Sequence, residues 1–302
     1  MPGDSAKTIV ITGASSGIGK ASARLFHENG WNVVATMRRP EAETDLQPSE
    51  RMKLVALDVQ DPESPPRAVA EAVAAFGQID VWLNNAGYGA FGPLEAGTRE
   101  QIIRQFEVNV FGLIACVQAV APHFRARRSG TVINVSSIGG IMTVPAFSVY
   151  NATKFAIEGL SEGLWYELGT FGIRVRLIEP GAIKTEFGGR SADVWDISRL
   201  PDYAGFMEKV RASRTKYTQN SSPPELVAEV IYAAAIDPSD RLRYLAGTDA
   251  RRYVPLRRLL GAPAMMRMVR RMFTRWIAGA SGASSRRQSG VARGIRPYRR
   301  RC

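Results

Sequence analysis

Cysteine and histidine are scarce in this chain, two of each among 302 residues. Cys116 and Cys302 cannot build a disulfide framework, so a reducing cytoplasm is the expected setting. His27 and His123 fall inside helical patterns, far apart and without Cys or acid neighbours at ligand spacing, so no metal site is expected. No run of eighteen or more uncharged apolar residues occurs, so no membrane-spanning helix is expected. The opening MPGDSAKTIVITG passes from an acid straight into a strand-like run, unlike a secretory leader. Charge is distributed unevenly along the chain. From Arg251 to Cys302 there are 15 arginines, no lysine and no Asp or Glu. The whole chain carries +12, so its first 250 residues carry −3: a mildly acidic body with a basic tail. Contact with nucleic acid or with a membrane is therefore confined to the tail.

What is abundant is alternation. A hydrophobic content of 45% supports a real core. KTIVITG, NVVATM, MKLVALDV, IDVWLNNAG, GTVINVSS, IRVRLIEPG and a shorter RLRYLAG read as strands rich in Val, Ile and Leu. Continuous apolar strands of this kind suit parallel strands covered on both faces. Between them lie helical patterns: GKASARLFHENG, PPRAVAEAVAAFG, most of residues 98–128, residues 150 to about 171, and PPELVAEVIYAAAI. The expected fold class is α/β, a doubly wound, mostly parallel sheet in one domain over residues 1–250. Residues 186–222 are weakly periodic, with isolated aromatics Phe187, Trp195, Tyr203 and Phe206, as a lid insertion would be. Residues 251–278 are apolar and basic together, and 279–302 read as a disordered tail.

The turn TGASSGIG joins the first strand to the first helix. Glycine there lets the backbone approach a pyrophosphate, which then faces the amides and positive dipole end of the helix. The spacing Gly13, Gly17, Gly19 departs from the better-known G-x-G-x-x-G. Nucleotide choice is expected at the end of the second strand, where an acid takes ribose hydroxyls and an arginine takes a 2′-phosphate. The sequence there is VVATMRRPE, with Met37 in the acid position followed by Arg38 and Arg39. This favours NADP(H), with Arg38 and Ser16 near the phosphate and NAD(H) as the alternative; the plainer reading is surface arginines. Asp58 suits the adenine amino group, or else caps the turn that follows. Further on, FSVYNATKFAIEGL sets Tyr150 and Lys154 one helical turn apart, on one face.

These residues together resemble the short-chain dehydrogenase/reductase family over residues 5 to 250. The resemblance rests on TGASSGIG (12–19), LDV (57–59), NNAG (84–87), Asn109, Ser137, YNATK (150–154) and PGAIKT (180–185), in that order. The wording KFAIEGLSEGLWYEL…GIRVRLIEPG is most similar to the branch of 17-beta-hydroxysteroid and retinol dehydrogenase-like enzymes. The resemblance implies a Rossmann fold and an oxidoreductase interconverting an alcohol and a ketone or aldehyde. It implies Tyr150 as acid/base, Lys154 on the nicotinamide ribose, Asn109 holding a water on a proton path, and Ser137 rather than Ser136 as the catalytic serine. By the same resemblance Gly13, Ser15, Ser16, Gly17, Ile18, Gly19, Arg38, Asp58 and Val59 take the nucleotide. Asn85, Ala86 and Gly87 line the cofactor floor, with Pro180, Gly181, Ile183 and Thr185 at the nicotinamide end. It also implies dimers or tetramers built through residues 98–128 and 150–171.

The chemistry asks for such residues. A free tyrosine has a pKa near ~10, and bringing it toward ~7 takes roughly 4 kcal/mol in favour of the phenolate. A neighbouring ammonium and an oxidised nicotinamide can supply much of that, and Ser137 would donate to the substrate oxygen. The lid aromatics, with Met142 and Val144, point to an apolar pocket and a lipophilic substrate: steroid, retinoid, fatty or aromatic. Segment 251–278 either lies on an anionic membrane or packs over the mouth of the site; nucleic acid is the less favoured partner. The competing function is a catalytically silent NADP(H) sensor on the same fold.

Overall fold

β1 (Thr8–Ile11), α1 (Gly17–Glu28), β2 (Asn32–Met37), β3 (Met52–Ala56), α2 (Ser64–Phe76) and β4 (Val81–Asn84) follow one another as strand and helix in the order the apolar runs predict. The computed structural model describes residues 6–185, 192–219 and 221–274, the last three of them as backbone only. Phe187, the side chain of Met272 and the segment 279–302 lie outside the described residues. Beyond β4 come β5 (Gly89–Phe91), α3 (Arg99–Phe106), α4 (Gly112–Arg127), β6 (Gly130–Val135), α5 (Ser148–Gly169) and β7 (Ile173–Pro180). β8 (Ala192–Val194), α6 (Ala204–Thr218), α7 (Pro224–Ile236), β9 (Arg243–Ala246) and α8 (Thr248–Thr274) follow among the described residues.

Seven strands form one sheet in the order β3-β2-β1-β4-β6-β7-β9, every pairing parallel. Alternate side chains of each strand feed two cores. Ile9, Ile11, Val33, Leu83 and Ile133 meet α1 and α7 through Phe26, Val227 and Ile231. Val10, Val34, Trp82, Val132 and Leu177 meet α2, α4 and α5 on the opposite face. Because helices cover both faces, β1, β2, β4 and β6 are buried nearly throughout, while the edge strands β3 and β9 are buried only in part. Strand order reverses between β1 and β4, which opens a crevice at their carboxyl ends.

Local chemistry sets the ends of these elements. α2 begins on Pro65 and Pro66 and stops at Gly77, held left-handed at φ 78°. α3 starts with a capping box between Thr98 and Gln101. A π-helical turn, Glu107–Phe111, joins α3 to α4. Arg99–Arg127 is, among the described residues, the one helical stretch long and apolar enough to cross a membrane by length and composition. Leu113, Cys116, Val117, Val120 and Phe124 of that stretch pack on the sheet, so a core helix passes the same test.

The expected lid departs from its reading. α6 crosses it as a regular helix, and β8 pairs in parallel with β5 in a separate two-stranded sheet. The helix was not visible in the sequence because only two of its residues, Met207 and Val210, are buried. The boundary at residue 250 falls inside α8, where Ala250 and Val254 are fully buried. That helix kinks at Gly261 (φ 72°, ψ 171°), and only beyond Pro255 do Leu259 (82% exposed), Leu260 and Met266 turn outward.

Candidate active site

The crevice is a cleft of about 2410 Å³ running from the β1–α1 turn to α6 and α8. Its nucleotide end is built by two loops locked to each other. Thr12 Oγ1 accepts the amides of Asn85 (2.9 Å) and Ala86 (3.0 Å) and donates to the Leu83 carbonyl (3.3 Å). Asn85 Nδ2 donates back to the carbonyls of Thr12 (2.9 Å) and Gly13 (3.1 Å). Gly13 sits at φ 68°, in the left-handed region glycine favours. At Gly19 a Cβ would fall 2.6 Å from Asn85 Nδ2 and closer still to the Gly13 oxygen, so no side chain fits. Ser16 precedes α1 without a side-chain cap, which leaves the first amides of the helix to the cleft. This cradle fits the pyrophosphate of a dinucleotide.

Gly13, Ser15, Ser16, Gly17 and Ile18 all line the cleft, as do Arg38, Asp58 and Val59 at its adenosine end. Gly19 lies just behind, where its missing side chain admits the loop. Asp58 does cap the next turn, accepting the Gln60 amide at 3.0 Å, and one carboxylate oxygen remains for the cleft. Arg38 and Arg39 are exposed, and among the described residues neither is held in an ion pair. The nearby acids are already neutralised, since Lys20 reaches Glu43 at 2.9 Å and Asp45 at 2.8 Å. A phosphate on the ribose would therefore meet free arginines rather than free carboxylates.

A buried amide chain places the other wall. Asn84 Nδ2 donates to Asn134 Oδ1 (2.9 Å), and Asn134 Nδ2 donates to Ser161 Oγ on α5 (2.8 Å). With α5 fixed to the sheet, Tyr150 and Lys154 face the cleft from its first two turns. Ser137 hydrogen-bonds Tyr150 and accepts the Gly139 amide at 3.0 Å. Ser136 Oγ lies instead beside the Glu158 side chain, against Gly140. Geometry thus separates the two serines that the sequence set side by side. Lys154 Nζ donates to the Val135 carbonyl at 2.9 Å and stands 5.8 Å from the centroid of the Tyr150 ring. Just before this helix, Ala146 holds a left-handed φ of 63°, a strained turn that swings Phe147 against Tyr150 at 5.9 Å between centroids.

The electrostatics differ from the simple lysine–tyrosine expectation. Burial pushes the Tyr150 phenol up to about 12, against the opposing Ser137 hydrogen bond. Burial likewise pulls the Lys154 ammonium down to about 8, with Glu158 acting the other way. Desolvation disfavours both charges and outweighs their partners. The protein alone therefore holds a neutral phenol, which is a proton donor.

Asn109 is buried in the π-helical turn, outside the cleft wall. Its side-chain oxygen accepts the Tyr88 amide (3.0 Å), and its amide donates to Tyr88 O (2.9 Å) and Thr153 Oγ1 (3.2 Å). Thr153 Oγ1 in turn donates to the Tyr150 carbonyl at 2.7 Å. This amide group braces the loop and α5; it is not itself directed at the reacting space.

Asn85, Ala86 and Gly87 line the floor, and Pro180, Gly181, Ile183 and Thr185 the far end. Residues outside the sequence reading secure that end. Asp249, at the start of α8, accepts the Ala182 amide at 2.7 Å and the Tyr217 hydroxyl of α6. Arg252, Tyr253, Met268 and Val269 of α8 also line the cleft, so the C-terminal helix packs over its mouth. Of the lid aromatics among the described residues, Trp195, Tyr203 and Phe206 do not line it. Trp195 is 3% exposed and fills the space left by Gly92 and Gly97; Tyr203 donates to Glu95 Oε2 at 3.1 Å; Phe206 faces outward. The apolar wall comes instead from Met142, Val144, Pro145, Phe147 and Val210.

A family model described as short chain dehydrogenase matches residues 7–193. The chain belongs to that family. The human 17-beta-hydroxysteroid dehydrogenase type 1 is 35% identical to this short-chain dehydrogenase over 270 residues, 84% of this chain and 81% of the human protein. A 3-ketodihydrosphingosine reductase of Bacteroides thetaiotaomicron is 37% identical over 227 residues, 74% of this chain and 81% of the relative. A solved short-chain dehydrogenase of Streptomyces avermitilis superposes with a TM-score of 0.76 at 37% identity, covering 93% of this chain and all of that one. Among other similar solved structures, ElxO was solved with NADP and a Brucella melitensis 3-ketoacyl-(acyl-carrier-protein) reductase with NADH (27% and 25% identical, TM-scores 0.65 and 0.63).

Proposed function

We propose that this short-chain dehydrogenase is an NADP(H)-dependent oxidoreductase that interconverts a lipophilic alcohol and its ketone or aldehyde, with Tyr150 as general acid/base. The observation that carries the reading is one cleft with Ser137, Tyr150 and Lys154 on its wall and the unpaired Arg38 and Arg39 at its adenosine end. A bound nicotinamide dinucleotide supplies the hydride. Arg38 with Ser16 would hold its 2′-phosphate, the α1 amides its pyrophosphate, and Lys154 its ribose. Ser137 orients the carbonyl oxygen toward Tyr150, and the phenol gives its proton as alkoxide character develops. A phenol held neutral across the physiological range favours the reductive direction. Met142, Val144, Pro145, Phe147 and Val210 exclude water from the carbonyl and favour an apolar carbon skeleton.

Assembly and placement follow from the outer surface. Ile103, Phe111, Phe155 and Tyr166 are exposed on α3, the π-helical turn and α5, a face suited to a second copy of the chain. Leu259, Leu260 and Met266 project near the exposed Arg267, Arg270 and Arg271, a combination suited to an anionic surface.

The test is NADPH consumption across a panel of ketones, comparing Tyr150→Phe with the parent. The expected result is a rate lower by about 10²–10⁴-fold in the variant, with NADPH binding, followed by its fluorescence, kept within a few-fold. Nucleotide binding with turnover of no ketone in either protein would instead make the chain a sensor.

A further inference from the structure

One cation in the cleft packs on two rings but, among the described residues, pairs with no acid. α6 turns a single stripe inward, Met207, Val210, Arg214 and Tyr217, at the spacing of successive helical turns. Met207 and Val210 are buried against Phe91 and Ala146. At the next position the helix period calls for another apolar side chain, and the chain supplies a guanidinium. It lies 5.1 Å from the centroid of Phe91 and 5.4 Å from that of Phe147. Among the described residues no carboxylate pairs with it and no acceptor takes any of its N–H donors. A half-buried, unpaired charge destabilises a fold relative to a hydrophobic residue of similar volume. Local pattern and fold disagree at this residue, as they do where a site is being served.

The neighbours say what it serves. Phe147 touches both the guanidinium and the Tyr150 ring, with its centroid 5.4 Å from the former and 5.9 Å from the centroid of the latter. Arg214 is therefore no farther from the centre of the Tyr150 ring than those two distances laid end to end, and it lines the same cleft. It comes from α6, whereas the 2′-phosphate position at Arg38 follows β2, at the opposite end of the sheet's crevice. We infer that Arg214 binds a carboxylate carried by the substrate, so that the natural ligand is a keto acid or hydroxy acid with an apolar body. The planar guanidinium fork matches a carboxylate in two hydrogen bonds, and the two phenyl faces hold it in place. The carbonyl lies against Tyr150, the apolar skeleton against Phe147 and Val210, and the acid against Arg214. This inference deepens the oxidoreductase reading and rests on it for where the carbonyl lies.

The experiment separates the two claims. Acetophenone and 4-acetylbenzoate share a ketone and differ by one carboxylate. Their dissociation constants are measured with the full chain saturated in NADP⁺, which cannot reduce them, for the parent, Arg214→Gln and Arg214→Lys. The parent is expected to bind 4-acetylbenzoate at least about 10-fold more tightly. In Arg214→Gln that ratio falls by about 10–100-fold, the size of a charge-assisted contact, and in Arg214→Lys it is partly kept. On the parent alone, benzoate displaces 4-acetylbenzoate and benzamide does not, which decides the matter even if a variant fails to fold. Equal affinity of the parent for both ketones, or an unchanged ratio in Arg214→Gln, overturns the inference; equal weakening of both probes would leave Arg214 a packing residue. Should the carboxylate preference hold while NADPH reduces neither ketone, the oxidoreductase reading fails and the anion site stands.

Discussion

The two ends of the cleft are built on opposite terms. At the nucleotide end the polar groups satisfy one another: Thr12 with Asn85 and Ala86, Asn84 with Asn134, Asn134 with Ser161, Lys20 with Glu43 and Asp45. Those bonds are made within the protein and hold a rigid cradle whose free donors are a few backbone amides and Arg38. At the substrate end, α6 rests on a small cluster of Phe91, Ala146, Met207 and Val210, leaves Arg214 without an ion-pair partner among the described residues and is latched through Tyr217 to Asp249. A cofactor shared by many enzymes is met by a fixed, prepaired scaffold. The part that selects a substrate keeps cations in reserve and rests on few buried contacts, as mobile functional elements do.

The largest expected effect attacks the anchor of the substrate end. Trp195→Ala empties the space that Gly92 and Gly97 leave for the indole and should cost about 3–5 kcal/mol of stability in denaturant unfolding. A loss below about 1 kcal/mol would mean the lid is held elsewhere and the contrast between the ends is weaker than drawn. Next in size is a change confined to the nucleotide end. Arg38→Ser should cut the preference for NADPH over NADH by about 10–100-fold, in line with about 1.5–3 kcal/mol for a hydrogen bond to a charged group. Affinity for NADH should hold, and parallel loss of both nucleotides would show Arg38 acting on the loop and not on the phosphate. The mildest effect is a pH profile. Lys154 acts as a cation, and burial brings its pKa down to about 8 from the usual 10.5. Reductive kcat/KM should therefore be level at neutral pH, halve near the lysine's value and fall about tenfold per unit above it. Tyr150, raised to about 12, stays protonated throughout that range. A rate level to pH 10 would show that Lys154 is not buried as a charge.

How much was legible depended on the distance over which each signal acts. The seven strands and the glycine turn are local patterns, and each lies where its apolar run or spacing predicted. Ser137, Tyr150 and Lys154, singled out in the sequence, line one cleft in the structure, the last two together because i and i+4 share a helix face. The small β5–β8 sheet was not, since its three-residue strands are far apart in the chain. The aromatics of residues 195–206 were misread as pocket walls because a tryptophan facing a ligand and one facing two glycines look alike in sequence. α6 was missed because its inward stripe ends in Arg214 and Tyr217, which a hydrophobic period does not count.

By itself the sequence determined the doubly wound sheet, the nucleotide turn and the one-turn spacing of Tyr150 and Lys154, because periodicity and short spacings act within a turn or a strand. Only the tertiary structure decided that burial keeps Tyr150 neutral, that Asn109 braces instead of facing the cleft, and that Arg214 meets Phe91 and Phe147 with no counter-charge among the described residues. Desolvation and pairing depend on which distant segments arrive around a group, and no local pattern encodes that.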